Sequence, residues 1–111
     1  MEARTKIIFV DDNGDKFFGE GPYQLLLGVE RTGSLRSAAM EMGMAYSKAI
    51  RLLHHAEEAL GFPLTERAVG GSSGGGSRLT EQGKEWIARY GAYRDACTEN
   101  NRRLYLEFFP G

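Results

Sequence analysis

Apolar residues recur at helical spacing from Ala45 to Leu60, where Ala49, Leu53, Ala56 and Leu60 share one face. Just upstream a shorter helical pattern begins at Ser34, with Ala38, Ala39 and Met42 on its inner side. Ser34 is placed to cap that helix through its hydroxyl oxygen, and Gly43 is the residue best able to take positive φ where it ends. Gly61 stops the second helix, and Phe62-Pro63 opens an extended segment. Two helices with small residues at their contact and a glycine in the turn describe a helix-turn-helix. In that motif the second helix lies in the major groove of DNA and its N-terminal residues meet base edges. Here those residues are Tyr46, Ser47 and Lys48, with Arg51 one turn further on. The competing reading is a helical hairpin that binds nothing, with Lys48 and Arg51 on a solvated face.

The flanking patterns frame this motif. Lys6 to Val10 is a short β-branched and aromatic run, and Lys16-Phe17-Phe18 is a second, separated by an acidic stretch whose Asn13-Gly14 pair suits a tight hairpin turn. Both faces of the first run are apolar, so one face can cover helices while the other needs a further cover. Pro22 is suited to a first helical turn, and Tyr23 to Arg31 follows as a helix with Leu26, Leu27 and Val29 facing a core or interface. After Gly61 an extended piece, residues 62–67, leads into the glycine-rich stretch 70–77, and Arg78-Leu79 resumes the chain. Thr80 can cap a final helix that carries Trp86, Ile87, Tyr90, Tyr93 and Cys97 at helical spacings and runs to about Leu106, with Gly91 as a weak point and residues 107–111 fraying.

The glycine-rich stretch has two surviving interpretations, a flexible linker and the tip of a β-hairpin wing. A nucleotide-binding loop would need a Lys-Ser or Lys-Thr after its last glycine, and none follows. The wing fits the order of elements better. The fold class is then mainly α with small β: a winged helix-turn-helix with an N-terminal β-hairpin and a C-terminal dimerisation helix. One domain spans residues 1–111, with the hairpin over 1–20, helices over 22–61, the wing over 62–79 and the last helix over 80–106.

Composition narrows the chemistry. A 41% apolar and 26% charged chain of 111 residues suits a soluble globular domain. No apolar run approaches a membrane span and no secretory leader follows Met1, so a cytoplasmic protein is expected. Cys97 is a lone cysteine, and His54 and His55, adjacent on a helix, point about 100° apart and do not readily share a metal. The acidic turn lacks the distant bidentate glutamate of a calcium loop. No nucleophile and base sit in a recognisable context, so neither an enzyme nor a cofactor is expected. The net charge of −1 does not advertise nucleic acid, but Arg31, Arg36, Lys48, Arg51, Arg67 and Arg78 make the middle of the chain mildly basic. Ile8, Leu26, Leu27, Trp86, Tyr90 and Tyr93 together make more apolar surface than one small domain is expected to cover, which points to a homodimer.

Three segments carry a family resemblance: Thr32-Gly33-Ser34-Leu35 with Ala38-Ala39; Gly43-Met44-Ala45-Tyr46 with Ala49; and Glu66-Arg67-Ala68 leading through Gly70-Gly71 and Gly74-Gly75-Gly76 to Leu79-Thr80. On these the chain resembles the N-terminal DNA-binding domain of the ModE family of molybdate-responsive regulators. Ala59-Leu60-Gly61-Phe62-Pro63-Leu64 is also similar to the broader LysR-type winged helix-turn-helix. The resemblance implies a dimer that places paired recognition helices in successive major grooves, with wings reaching flanking backbone. Phosphate contacts would then come from Ser34, Arg36 and Ser37, and from the wing at Gly74, Gly75, Gly76, Ser77 and Arg78. Base contacts would come from Tyr46, Ser47, Lys48 and Arg51. The expected partners are double-stranded DNA and a second copy of the chain. Two departures stand out. Ala45 replaces a serine common in the family, and the sequence has no counterpart of the molybdate-sensing portion, so it looks like a short form without a molybdate site. The alternative function is a winged-helix protein–protein module that does not bind DNA.

Overall fold

The computed structural model describes residues 1–68 and 76–111. Strands β1 (Phe9–Val10) and β2 (Lys16–Phe18) form an antiparallel hairpin, followed by helices α1 (Glu20–Thr32), α2 (Leu35–Glu41) and α3 (Tyr46–Leu60). Strands β3 (Thr65–Ala68) and β4 (Gly76–Leu79) pair antiparallel as the base of a wing, and α4 (Glu81–Phe108) closes the chain. This is the winged helix-turn-helix the sequence predicts.

The helix ends follow the expected chemistry. The Ser34 hydroxyl oxygen accepts the Ser37 N–H at 3.1 Å, and the Thr80 hydroxyl oxygen accepts the Gly83 N–H at 2.9 Å. Gly43 takes φ 65° in the turn between α2 and α3, and Gly61 takes φ 83° after α3. Ala49, Leu53 and Ala56 are buried, and α2 adds Leu35, Ala38 and Ala39 to the same core. Around them pack Phe18, Leu25, Leu26, Val29, Leu64, Leu79, Ile87 and Tyr90. The α1–α2 contact is close enough that a Cβ on Gly28 would stand 2.9 Å from that of Ala38.

Three expectations need correction. The first strand is shorter than Lys6–Val10, because β2 offers only three residues and a bulge separates the two pairs. The hairpin turn itself is tight, as Asn13-Gly14 suggests: the Gly14 N–H donates to the Asp11 carbonyl at 2.9 Å and Gly14 alone in it has positive φ, a type I turn closed by a left-handed glycine. Helix α4 runs unbroken past Gly91 to Phe108, since that glycine is where α1 approaches: a Cβ there would lie 2.7 Å from the Tyr23 hydroxyl oxygen. Lastly, Leu26 (0% exposed) and Tyr90 (2%) lie inside the protomer's own core, so neither is left for a dimer partner. Tyr90 is covered by edge-to-face contacts with Phe18 and Phe9, and its hydroxyl donates to the Ile7 carbonyl at 2.9 Å.

The junction of α3, wing and α4 is tied at Leu64. Its N–H donates to a Glu57 carboxylate oxygen at 2.7 Å, and its carbonyl accepts the Thr80 N–H at 3.0 Å. The Thr80 hydroxyl donates to the Pro63 carbonyl at 2.7 Å. A Cβ on Gly83 would lie 2.2 Å from the Leu64 carbonyl oxygen, so α4 seats directly on this backbone. Gly83→Ala is therefore expected to force α4 off the wing base and cost about 1–3 kcal/mol or more. Denaturant unfolding should show the loss, whereas Gly21→Ala, with open space around the added methyl, should not reproduce it.

Candidate nucleic-acid interface

Helix α3 is laid on the core by its small and apolar face, and this decides what it presents outward. With Ala49, Leu53 and Ala56 inward, a 100° step per residue puts Ser47, Arg51, His54 and Glu58 on the opposite side. All four are exposed. Two flanks border this face. On one, Tyr46 (36% exposed) leans toward α2, where the Arg36 guanidinium lies over its ring at 4.1 Å from the centroid. On the other, Lys48 and His55 border an open groove of about 230 Å³ against Lys16 and Phe17 of the hairpin and Met44 of the α2–α3 turn.

The residues predicted from the sequence thus divide. Ser47, Lys48 and Arg51 are exposed on or beside the outward face, and Arg36 and Ser37 are exposed on α2. Ala45 offers no side-chain cap to α3, as its replacement of serine implies. Ser34 is half-buried, with its oxygen engaged as the α2 cap. Gly74 and Gly75 lie outside the described residues. Gly76 packs at the wing base, where a Cβ would stand 3.1 Å from the Gly33 carbonyl oxygen. The Ser77 N–H donates to that same carbonyl at 2.8 Å, so this amide is engaged within the protein rather than offered to a phosphate. Arg78 is paired with Glu66 across the wing at 2.9 Å.

Two residues were missed as candidates. His54 stands one turn beyond Arg51 on the outward face; the helical period contained that signal, obscured by treating it as half of a histidine pair. Arg67 on β3 is exposed and lines, with Ser34, Arg36, Tyr46 and Ser77, a cleft of about 490 Å³ between the helix-turn-helix and the wing. Its place in that cleft follows from the register of the wing, which pairs Arg67 with Ser77.

Residues 23–84, more than half of the chain, match the bacterial regulatory helix-turn-helix proteins of the lysR family. The chain belongs to that family. Among curated relatives of this LysR-family chain, the molybdenum-pterin-binding protein MopB of Rhodobacter capsulatus is 41% identical over 68 residues, covering 61% of this chain and 25% of that protein. The molybdenum transport protein ModE of Azotobacter vinelandii is 33% identical over 85 residues, covering 73% and 32%. The chain therefore spans a quarter to a third of the curated relatives it matches. In a crystal structure of the CbnR_DBD–DNA complex the protein superposes with a TM-score of 0.62 over 78% of this chain and 94% of that one, at 18% identity. The fold is shared. Family membership places the chain among regulatory helix-turn-helix domains and not among enzymes.

One electrostatic contact couples the N-terminal hairpin to α3. An Asp11 carboxylate oxygen accepts the N–H groups of Asn13 and Asp15, both at 2.9 Å, and the other lies 3.7 Å from His55 Nε2. The Asp15 amide, then the Asn13 amide and His55, hold the Asp11 carboxyl below its ordinary value against a smaller opposing effect of desolvation. A lowered carboxyl pKa stabilises the fold above the ordinary aspartate value of about 3.9, and that contribution disappears as pH falls through the lower folded value. Asp11→Ala is accordingly expected to loosen the hairpin at neutral pH, seen as faster amide exchange at Asn13 and Asp15. The difference from the parent should shrink in acid below that range.

Proposed function

We propose that this LysR-family domain binds double-stranded DNA sequence-specifically as a homodimeric transcriptional regulator, with α3 in the major groove. The observation that carries this is the outward face of α3. Ser47, Arg51 and His54 project from a helix whose opposite face is locked into the core, with Lys48 beside them and Arg36 and Arg67 flanking. Arg and Lys are suited to guanine O6 and N7, and a rigid helix keeps them in register with successive base pairs. The shared fold with the CbnR_DBD–DNA complex supports the reading. A cytoplasmic location goes with it, and no helix among the described residues is long and apolar enough to cross a membrane. The molybdenum in the relatives' names belongs to proteins of which this chain spans a minor part, and no oxyanion ligand is assigned here.

The dimer is supported by the apolar surface that remains once Leu26 and Tyr90 are assigned to the core. Phe9, Trp86, Tyr90 and Tyr93, with Arg89, line an open cleft of about 230 Å³, and Ile8 (44% exposed), Val10 and Tyr93 (51%) remain exposed. Leu27 is half-buried. The Trp86 indole N–H is buried without an acceptor among the described residues. Further along α4, Leu104 and Phe108 repeat at helical spacing and are also exposed. Such a long unpartnered face is suited to a second copy.

Selection of duplexes from a random pool tests the proposal. The expected consensus is two-fold symmetric, with half-sites about one helical turn apart. Arg51→Ala and Lys48→Ala should each weaken binding to that consensus by roughly 1–3 kcal/mol and relax it at one position. Failure to enrich any sequence, with binding insensitive to salt, would favour a protein–protein module. Sedimentation at micromolar concentration should find a dimer, and Ile8→Asp should give folded monomers. Leu26→Asp, at a core position, should instead unfold the chain.

A further inference from the structure

The cleft between the helix-turn-helix and the wing brings an arginine of α2 onto an aromatic ring of α3. Arg36 rises from the first turn of α2 and Tyr46 from the first turn of α3, and the guanidinium carbon stands 4.1 Å from the centre of the phenol ring. A guanidinium lying on an aromatic face uses its flat side for the contact. The N–H groups around its edge keep their hydrogens, in the fork geometry that matches two oxygens of a phosphate. Among the described residues no carboxylate takes them. Arg31 is paired with Glu41, Arg78 with Glu66, and Arg94 with Glu20 and Asp95, but no ion pair among the described residues includes Arg36. Arg67, on the wing side of the same cleft, likewise has no carboxylate partner among the described residues. Both arginines are exposed and line a space of about 490 Å³ beside the outward face of α3, which Glu66 also lines with its carboxylate engaged by Arg78.

We propose that Arg36, held flat against Tyr46, and Arg67 form a two-sided clamp for one phosphodiester group of bound DNA. Tyr46 then acts as a positioning residue for Arg36 and not as a reader of bases. This rests on the DNA-binding function proposed above and gives that function a defined backbone contact. The location favours a phosphate over a base: Arg36 is on α2, and the cleft lies to the side of the Ser47–Arg51–His54 face. The stack also links the two helices of the motif at their N-terminal ends, so it presents the guanidinium in one orientation before DNA arrives, when an unsupported arginine would sample many rotamers.

The test uses the whole chain and the duplex selected from the random pool, with affinity measured across a range of salt. Arg36→Ala should weaken binding roughly tenfold or more and make the logarithmic salt dependence shallower by about one unit, while the selected consensus stays the same. Tyr46→Phe keeps the ring and should lose less affinity than Tyr46→Leu. Tyr46→Leu removes the platform and should reproduce part of the Arg36→Ala loss, and the double variant should be no worse than Arg36→Ala alone. Arg36→Lys, which keeps the charge but not the flat fork, should retain the salt dependence and lose affinity several-fold. Thermal melting checks that each variant is folded. A parent that selects no duplex would overturn DNA binding and the clamp together. With a consensus in hand, three outcomes would overturn the clamp alone: Arg36→Ala binding as tightly as the parent, Arg36→Lys matching the parent, or Tyr46→Leu changing the consensus.

Discussion

Leu64 is the point at which three parts of the molecule become one. The Glu57 carboxylate of α3 holds its N–H, the Thr80 amide at the start of α4 takes its carbonyl, and its own side chain is completely buried. The Glu57 contact is a charge-assisted hydrogen bond in a partly buried setting, a class worth about 1.5–3 kcal/mol. The ion pairs on the surface, such as Arg89–Glu85 with both side chains 69% exposed, belong to a class worth about 0–1 kcal/mol. Position is therefore set by the Leu64 junction and the core behind it, not by the surface charges. Because the wing begins at Thr65, one residue later, its root is fixed relative to the exit of α3. Because Gly83 rests on the Leu64 carbonyl, the direction of α4 is fixed by the same atoms.

A second junction joins the wing to the other end of the motif. The Gly33 carbonyl, in the turn between α1 and α2, accepts the Ser77 N–H, and Gly76 packs against the same turn. The wing base is held at both ends, against α3 through Leu64 and against the α1–α2 turn through Gly33. The cleft containing Arg36 and Arg67 is the space these two attachments enclose. The phosphate clamp proposed for that cleft needs such rigidity, since a hydrogen bond weakens steeply once its geometry is lost.

Much of this was legible in the sequence because it depends on local chemistry. The Ser34 and Thr80 caps, the glycine turns at Gly43 and Gly61, and the α3 core face of Ala49, Leu53 and Ala56 all follow from residue type and spacing. What could not be read depends on partners far along the chain. Leu26 and Tyr90 looked like unpaired apolar surface, but Phe18 and Phe9 arrive from the hairpin to cover Tyr90, and α1 is buried more deeply than its own pattern requires. The engagement of the Ser77 amide with Gly33 is invisible to sequence because the two lie on elements brought together only by the fold. Gly91, read as a weakness, is a close approach to Tyr23.

The central claim is that the Ser47–Arg51–His54 face of α3 enters the major groove in two symmetric copies. Methylation protection of guanine N7 on the selected duplex tests it most directly, since that atom is exposed only in the major groove. The account predicts two protected patches about one helical turn apart, with protection lost at one guanine per half-site in Arg51→Ala. Tight binding that leaves every guanine N7 as reactive as in free DNA would contradict it.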